Sequence, residues 1–311
     1  MPTPHPVPLR IQNDMRLSFS TNAFVRSSVF HAVERIAAIG YEGVELLADS
    51  PHLYADSVSA SDLGTLADVL NRTGLKVANI NANTAMGYYG REFWEPLFEP
   101  SLSNPDRELR KWRIDYSKKC IDIARILGSP CISVTSGRLI PGVAPDKSLE
   151  YLHDSLEQLL EHAEHQSIRV GIEYEPGLLI ERYEELLDMI TSLDSAYLGA
   201  NLDLGHSHIL GEDPKRVISA LSSRIFHVHI EDIRGRKHFH LIPGSGDLDF
   251  AGLFSTLEAH GYGGFATVEL YTYPHQPEAA ARAALTHLRG LQRNNPATAD
   301  FVVRQERKGP R

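Results

Sequence analysis

The sequence predicts an α/β fold, a single-domain (β/α)₈ barrel of eight parallel strands and eight outer helices. Short segments with the length and residue types of β-strands alternate eight times with longer segments whose apolar residues recur at helical spacing. The 311-residue chain is also long enough for one such TIM barrel, which takes about 250 residues. An open doubly wound sheet is the alternative, but no glycine-rich dinucleotide turn follows the first strand.

Three of the predicted helices end at a glycine, which is the expected stop signal: Gly40, Gly74 and Gly128. Strands are predicted at residues 17–21, 43–47, 75–80, 130–135, 169–174, 197–203, 225–230 and 265–270. Helices are predicted at residues 29–39, 61–70, 107–127, 147–166, 181–192, 214–221, 250–260 and 277–291.

Residues 81–106 interrupt this alternation. The segment is long for a connection without periodicity, and such loops are usually lids or disordered. Its aromatic content, which includes Trp94 and Phe98, argues against disorder, so we predict an ordered lid over the strand ends. The barrel is then expected at 15–294, after a disordered proline-rich tail at 1–14 and before a C-terminal tail at 295–311.

Composition excludes several classes of protein. The formal charge of −9 argues against a nucleic-acid binder, which needs a basic face. Cys120 and Cys131 provide no disulfide framework, and no stretch approaches the about 18 apolar residues of a membrane span. The N-terminus lacks a hydrophobic signal core, so we expect a cytoplasmic protein without a membrane partner. A homodimer is a candidate assembly.

The most unusual stretch is the predicted seventh strand, where apolar residues alternate with histidines. His227 and His229 share one face, and Glu231 follows them on it. Imidazole with carboxylate partners is typical of divalent-metal sites. A hydrogen bond inside a polar core is the favoured role for His227, whereas His229, near the strand end, is favoured as a metal ligand.

The barrel geometry indicates candidate metal ligands, because active sites lie at the C-terminal ends of the strands. Strands five to eight deliver one such residue each: Glu173, Asp203, His229 and Glu269. Three carboxylates and one imidazole suit one divalent cation with open positions for substrate oxygens. We expect Mn²⁺ first, with Mg²⁺, Co²⁺ or Zn²⁺ as alternatives.

Further residues are candidates for substrate contact. Glu175 faces the same way as Glu173, and it either contacts substrate or partners a basic residue. His240 can reach the site from its loop, while His238 alternates away and is expected in solvent. Arg234 could hold a substrate phosphate or carboxylate, although an exposed basic turn is the default. Asp232 is expected to orient a ligand or a loop.

Five segments carry a resemblance to a known family. They are residues 171–176 (GIEYEP), 201–206 (NLDLGH), 227–232 (HVHIED), 243–250 (PGSGDLDF) and 267–270 (TVEL). The chain resembles the xylose-isomerase-like barrel superfamily, and within it the sugar isomerase/epimerase group with the tagatose and psicose 3-epimerases. The resemblance implies that the two glutamates, Glu173 and Glu269, exchange a substrate proton and that His206 contacts a substrate oxygen.

The chemistry expected of such a site is proton transfer next to a carbonyl of a sugar or cyclitol, through a metal-stabilised enediolate. Epimerisation or isomerisation is the first expectation. Dehydration is the runner-up, as in the inosose and dehydroshikimate dehydratases of the superfamily. A zinc nuclease resembling endonuclease IV is disfavoured, because residues 79–83 and 134–138 lack its extra histidines and His238 replaces an aspartate. A non-catalytic sugar-binding barrel is the remaining alternative.

Overall fold

Eight parallel strands pair in the order of the chain and close into a barrel. The computed structural model describes residues 15–90 and 96–294. The strands are β1 (Arg16–Ser20), β2 (Gly43–Leu47), β3 (Lys76–Asn81), β4 (Cys131–Thr135), β5 (Arg169–Glu173), β6 (Leu198–Asp203), β7 (Ile225–Ile230) and β8 (Phe265–Val268). This topology confirms the predicted (β/α)₈ barrel.

Helices surround the barrel in the described part of the chain. They are α1 (Val29–Ile39), α2 (Ala60–Thr73), α3 (Met86–Tyr89), α4 (Arg107–Leu127), α5 (Pro145–Gln166), α6 (Tyr183–Leu193), α7 (Leu204–Ile209), α8 (Pro214–Leu221), α9 (Phe250–Ala259) and α10 (Pro277–Asn294). The eight predicted helices are confirmed within a few residues at each end. The short helices α3 and α7 were not predicted, because four to six residues carry no readable helical period.

The helices begin and end as their sequences indicate. In α2, Ser59 and Asp62 form a reciprocal capping box at the N-terminus, and Gly74 ends the helix with a left-handed φ of 76°. The apolar stripe of α5 faces the barrel, where Leu152 and Leu156 are fully buried. Packing of such stripes against the strands forms the hydrophobic core.

Strand register sets the level of the site residues. Asp203 is the Cα partner of His229 across β6 and β7. The backbone N–H of Glu269, one residue past β8, still donates to the carbonyl of Ile230 at 3.1 Å. The C-terminal ends of β6, β7 and β8 therefore bring their last polar side chains to one end of the barrel.

The described parts of the predicted lid pack onto the barrel. Asp49 accepts hydrogen bonds from the backbone N–H groups of Met86 at 2.8 Å and Gly87 at 2.7 Å, which fixes the start of α3. Phe98 is buried. Residues 91–95 of the lid, and the tails at 1–14 and 295–311, lie outside the described residues, so these boundaries stay predictions.

Helix length and hydropathy also bear on membrane association. Among the helices in the described ranges, none is long and apolar enough to cross a bilayer.

Candidate metal and substrate site

The four residues predicted at successive strand ends come together. Each offers a ligand atom, and these atoms lie within 4.8 Å of one another. The four residues are Glu173, Asp203, His229 and Glu269, and all of them are buried. Nδ1 of His229 lies 3.3 Å from Oε2 of Glu173 and 3.6 Å from Oε2 of Glu269. We call this group the four-residue cluster.

Asparagine amides anchor both glutamates of the cluster. Each carboxylate accepts two side-chain N–H bonds on a single oxygen, which fixes its orientation in the barrel. Oε2 of Glu173 accepts from the side chains of Asn83, at 2.7 Å, and Asn201. Oε1 of Glu269 accepts from the side chains of Asn22, at 2.9 Å, and Asn81, at 3.2 Å. Burial, together with the neighbouring carboxylates of Glu173 and Glu45, raises the pKa of Glu269 well above its usual value.

Asp203 has one satisfied and one unsatisfied oxygen. Its Oδ1 accepts the backbone N–H of His206 at 2.8 Å and so caps α7, while Oδ2 is buried without a hydrogen-bond partner among the described residues. Burial opposes ionisation, yet the imidazoles of His206, His240 and His229, together with the neighbouring carboxyl of Glu231, lower the pKa of Asp203 to about 2. An ionised, buried oxygen without a partner is costly, and a bound cation would satisfy it. The donor set therefore fits a divalent metal ion.

His229 is oriented by Glu45, a residue that sequence reasoning did not select. Oε2 of Glu45 lies 2.6 Å from Nε2 of His229, on the side of the ring opposite the cluster. Asn79 and Asn81 donate to the two oxygens of Glu45 at 2.9 and 3.2 Å. Although burial opposes ionisation, His229 and then His227 hold the pKa of Glu45 well below its usual value.

His227 does not join the four-residue cluster. It is buried, with Nε2 3.3 Å from Oε2 of Glu45, which agrees with the predicted role inside a polar core. Glu45, His227 and His229 also bring potential ligand atoms together. The oxygens of Glu45 are already bonded to asparagines, so the four-residue cluster, with its unsatisfied Asp203, is the better metal site.

The predicted substrate contacts fall into two groups. His206 and His240 are buried beside the cluster, with Nδ1 atoms 3.2 Å from the carbonyl of Tyr174 and 2.9 Å from that of Glu269. Glu175 is half-buried, and burial, with lesser contributions from Glu173 and Asp203, raises its pKa to about 7. Arg234 is not brought into the cluster, because it is exposed and donates to the carbonyl of Ser245 in its own loop.

His238 corrects an expectation. It was expected to point into solvent, but although the residue is exposed, its Nε2 lies 3.2 Å from Nε2 of His206 and 3.3 Å from Nε2 of His240. Strand alternation does not continue beyond β7, because the chain turns there into a loop that folds back over the strand end.

That loop is held by Asp232, as predicted. Its carboxylate accepts the backbone N–H groups of Gly244 at 2.8 Å, Gly246 at 2.7 Å and Leu248 at 3.1 Å. A Cβ at Gly246 would lie 2.3 Å from Oδ1 of Asp232, so glycine is required for this close approach.

The family model for the xylose isomerase-like TIM barrel matches residues 33–291. The chain belongs to this family. It is 26% identical to a fructoselysine 3-epimerase from Shigella flexneri over 285 residues, which cover 89% of this chain and 98% of the relative. It is 27% identical to a 3-dehydroshikimate dehydratase from Pseudomonas aeruginosa over 88% of this chain, but only 41% of that longer protein. The crystal structure of a D-tagatose 3-epimerase-like protein superposes with a TM-score of 0.74, at 21% identity over 89% of this chain and 98% of that one.

The structure adds buried polar residues that sequence reasoning did not select. Glu45 is a charged residue in the middle of the otherwise apolar β2, and Asn79, Asn81 and Asn83 recur with the period of a strand. Both patterns indicate polar side chains in the barrel interior. Neither pattern indicated which other buried side chains these residues would contact.

Proposed function

We propose that this member of the xylose isomerase-like family is a metal-dependent isomerase or epimerase that moves a proton next to a carbonyl group. The observation that supports this most is the pair of anchored carboxylates, Glu173 and Glu269, whose Oε2 atoms lie 3.3 and 3.6 Å from Nδ1 of His229. A binding protein without turnover needs only ligands, whereas two fixed bases serve a proton transfer.

Glu173, Asp203, His229 and Glu269 would hold the ion. When bound, the cation supplies Lewis-acid stabilisation of negative charge beside a carbonyl, and Mn²⁺ is the ion we propose first for this oxygen-rich donor set.

The chain's own residues would carry the proton. One glutamate removes the proton from the carbon next to the carbonyl, and the electron pair left behind delocalises onto the carbonyl oxygen to give an enediolate. The second glutamate returns a proton to the opposite face of the same carbon, which inverts it. Return to the neighbouring carbon would give aldose–ketose isomerisation instead.

A sugar or cyclitol fits the polarity of the side chains around the four-residue cluster. The side-chain oxygens of Asn22, Asn83 and Asn201 are buried without a hydrogen-bond partner among the described residues. Buried acceptors need donors, and the hydroxyls of a polyol would supply them. We propose three further contacts to substrate oxygens, from His206, His240 and Glu175. Arg234 would contact only a charged group of the substrate that extends to the rim of the site.

The deciding experiment follows substrate C–H exchange by NMR in deuterated water. Ketoses, a ketose-amine such as fructoselysine, and cyclitols are incubated with metal-loaded enzyme. Glu173→Gln and Glu269→Gln should each lose epimerisation by roughly 10²–10⁴-fold or more, the scale of a lost general base. Each should still exchange the proton of one epimer, while the exposed control Glu42→Gln should behave as the wild type. If both variants exchange both epimers at the wild-type rate, the glutamates are ligands only.

Dehydration is the second candidate, favoured by the similarity to the 3-dehydroshikimate dehydratase. The same proton removal leads to it when the electron pair expels a hydroxyl on the carbon beyond, with the released group leaving as water after protonation. Adding dehydroshikimate to the substrate panel separates the two, because loss of water forms a new C=C bond that epimerisation does not.

A further inference from the structure

We propose that Arg113, a buried arginine on α4, is a positioning residue for proton transfer by Glu173 and acts through Asn83, which anchors that glutamate. The role rests on the proposed function, because it concerns one of the two bases. Within the described ranges, the hydrogen bonds of the Arg113 side chain all go to backbone carbonyls. Its effect on Glu173 is therefore transmitted by the backbone.

Arg113 binds three successive carbonyls directly after β3. Its Nη1 donates to Thr84 at 2.8 Å, and its Nη2 donates to Ala82 at 2.5 Å and to Asn83 at 2.9 Å. The side chain is fully buried, and Nε has no hydrogen-bond partner among the described residues. Burying a charge is costly unless it is compensated. A rigid guanidinium offers several N–H donors in one plane, which suits the binding of adjacent carbonyls.

A buried carboxylate binds the same segment of the chain. Asp49 accepts the hydroxyl of Thr84, in addition to the backbone N–H groups at the start of α3. Thr84 therefore bonds to Arg113 through its carbonyl and to Asp49 through its hydroxyl. Two buried groups of opposite charge thus fix the backbone of residues 82–84.

Both backbone polar groups of Asn83 are held as a result. Its N–H donates to Oδ1 of Asn81 at 3.2 Å, and its carbonyl accepts from Arg113 and from the hydroxyl of Thr135, at 3.2 Å. A fixed backbone leaves the short asparagine side chain few positions. Its amide lies 2.7 Å from Oε2 of Glu173 in the observed one.

Glu269 is anchored by residues that Arg113 does not bind. Asn22 belongs to the turn after β1, and Asn81 is the last residue of β3, where its carbonyl accepts the N–H of Ala48 at 2.8 Å. A disturbance limited to residues 82–84 should therefore reach Glu173 and spare Glu269. A general loss of stability would affect both glutamates alike.

The first measurement is NMR of the chelator-treated full chain labelled with ¹⁵N-asparagine, and it needs no turnover. Side-chain amide signals are assigned by their loss in Asn83→Ser and Asn22→Ser. In Arg113→Lys the Asn83 signal should shift and its protons should exchange faster with solvent, while the Asn22 signal stays. The matched control is Arg224→Lys, an arginine that donates to the carbonyl of Ser195 at 2.7 Å and directly precedes β7, and it should leave both signals unchanged.

The second measurement is deuterium exchange by the metal-loaded variants, started from each epimer. Arg113→Lys should slow exchange of the epimer that Glu173→Gln no longer exchanges, by up to about 10²-fold, the scale of a small misplacement of a reacting group. Exchange of the other epimer should keep the wild-type rate. Arg113→Met, which lacks every donor, should be slower still. Lysine keeps the charge and one donor, so Arg113→Lys carries the test if the methionine variant does not fold.

An Asn83 signal that is unchanged in folded Arg113→Lys would overturn the proposal. Equal slowing of both epimers would also overturn it, because Arg113 would then act only on stability. If the wild type exchanges neither epimer of any substrate, the proposed function fails instead. A shifted Asn83 signal would then still support the orientation of Asn83 by Arg113.

Discussion

Glu45 on β2 lies 2.6 Å from His229 on β7, so a carboxylate and an imidazole from opposite parts of the barrel form a buried pair. The contact places the ring proton on Nε2 and leaves Nδ1 for the four-residue cluster. A carboxylate behind a ligating histidine fixes the ring and increases its basicity. Glu45 thus acts as a positioning residue for the proposed metal site.

Glu45→Gln should weaken metal affinity by about 10–100-fold, because the amide cannot replace the charge that orients His229. Competition with a fluorescent chelator measures this affinity directly. Glu42→Gln, an exposed change one residue before the same strand, is the matched control. Equal affinity in wild type and Glu45→Gln would remove Glu45 from the support of the site.

Asp203→Asn should reduce metal retention after gel filtration, because it removes a negative charge and the unsatisfied oxygen from the four-residue cluster. Asparagine still caps a helix, so α7 should be preserved. Asp213→Asn, the cap of α8, is the control for capping without a metal ligand. Metal content measured by mass spectrometry should fall only in Asp203→Asn, and unchanged content would exclude Asp203 as a ligand.

Asp232→Asn should loosen the loop at residues 243–250. An amide offers one acceptor oxygen where the carboxylate accepts backbone N–H groups on both. We expect a loss of about 1–3 kcal/mol of unfolding free energy, the cost of buried donors left unpaired. Urea denaturation measures it, with Asp188→Asn, an exposed change on α6, as the control. Identical stability of both variants would contradict this role of Asp232.

His52 should make stability depend on pH. Burial lowers the pKa of His52 to about 4, against the opposing effect of its contacts with the carbonyls of Ser27 and Phe24. Below about pH 6.5 the His52 side chain takes up a proton in the unfolded chain but not in the folded chain. Its contribution to the unfolding free energy is therefore fully present above that pH. It is lost as the pH falls towards 4, by at most about 3 kcal/mol.

The measurement for His52 is the unfolding free energy in urea between pH 7 and 4.5. His52→Gln lacks the titrating group, so its stability should fall less steeply than that of the wild type over this range. His260→Ala, which removes an exposed histidine, should follow the wild-type slope. Parallel curves for wild type and His52→Gln would contradict the prediction.

The sequence by itself determined the barrel and the four-residue cluster. Strand and helix periods are local properties, so eight alternations could be read without knowing any long-range contact. Parallel strands place their C-terminal ends together, and this rule alone brought Glu173, Asp203, His229 and Glu269 to one end.

Only the tertiary structure decided which polar groups meet inside the barrel. Glu45 and His229 are 184 residues apart in the sequence, and no periodic pattern or motif relates them. They come together because the barrel closes. The position of His238 likewise depends on a loop that Asp232 folds back over β7, beyond the range of strand alternation. Local periodicity specifies which face a side chain occupies, whereas its partners are set by long-range packing.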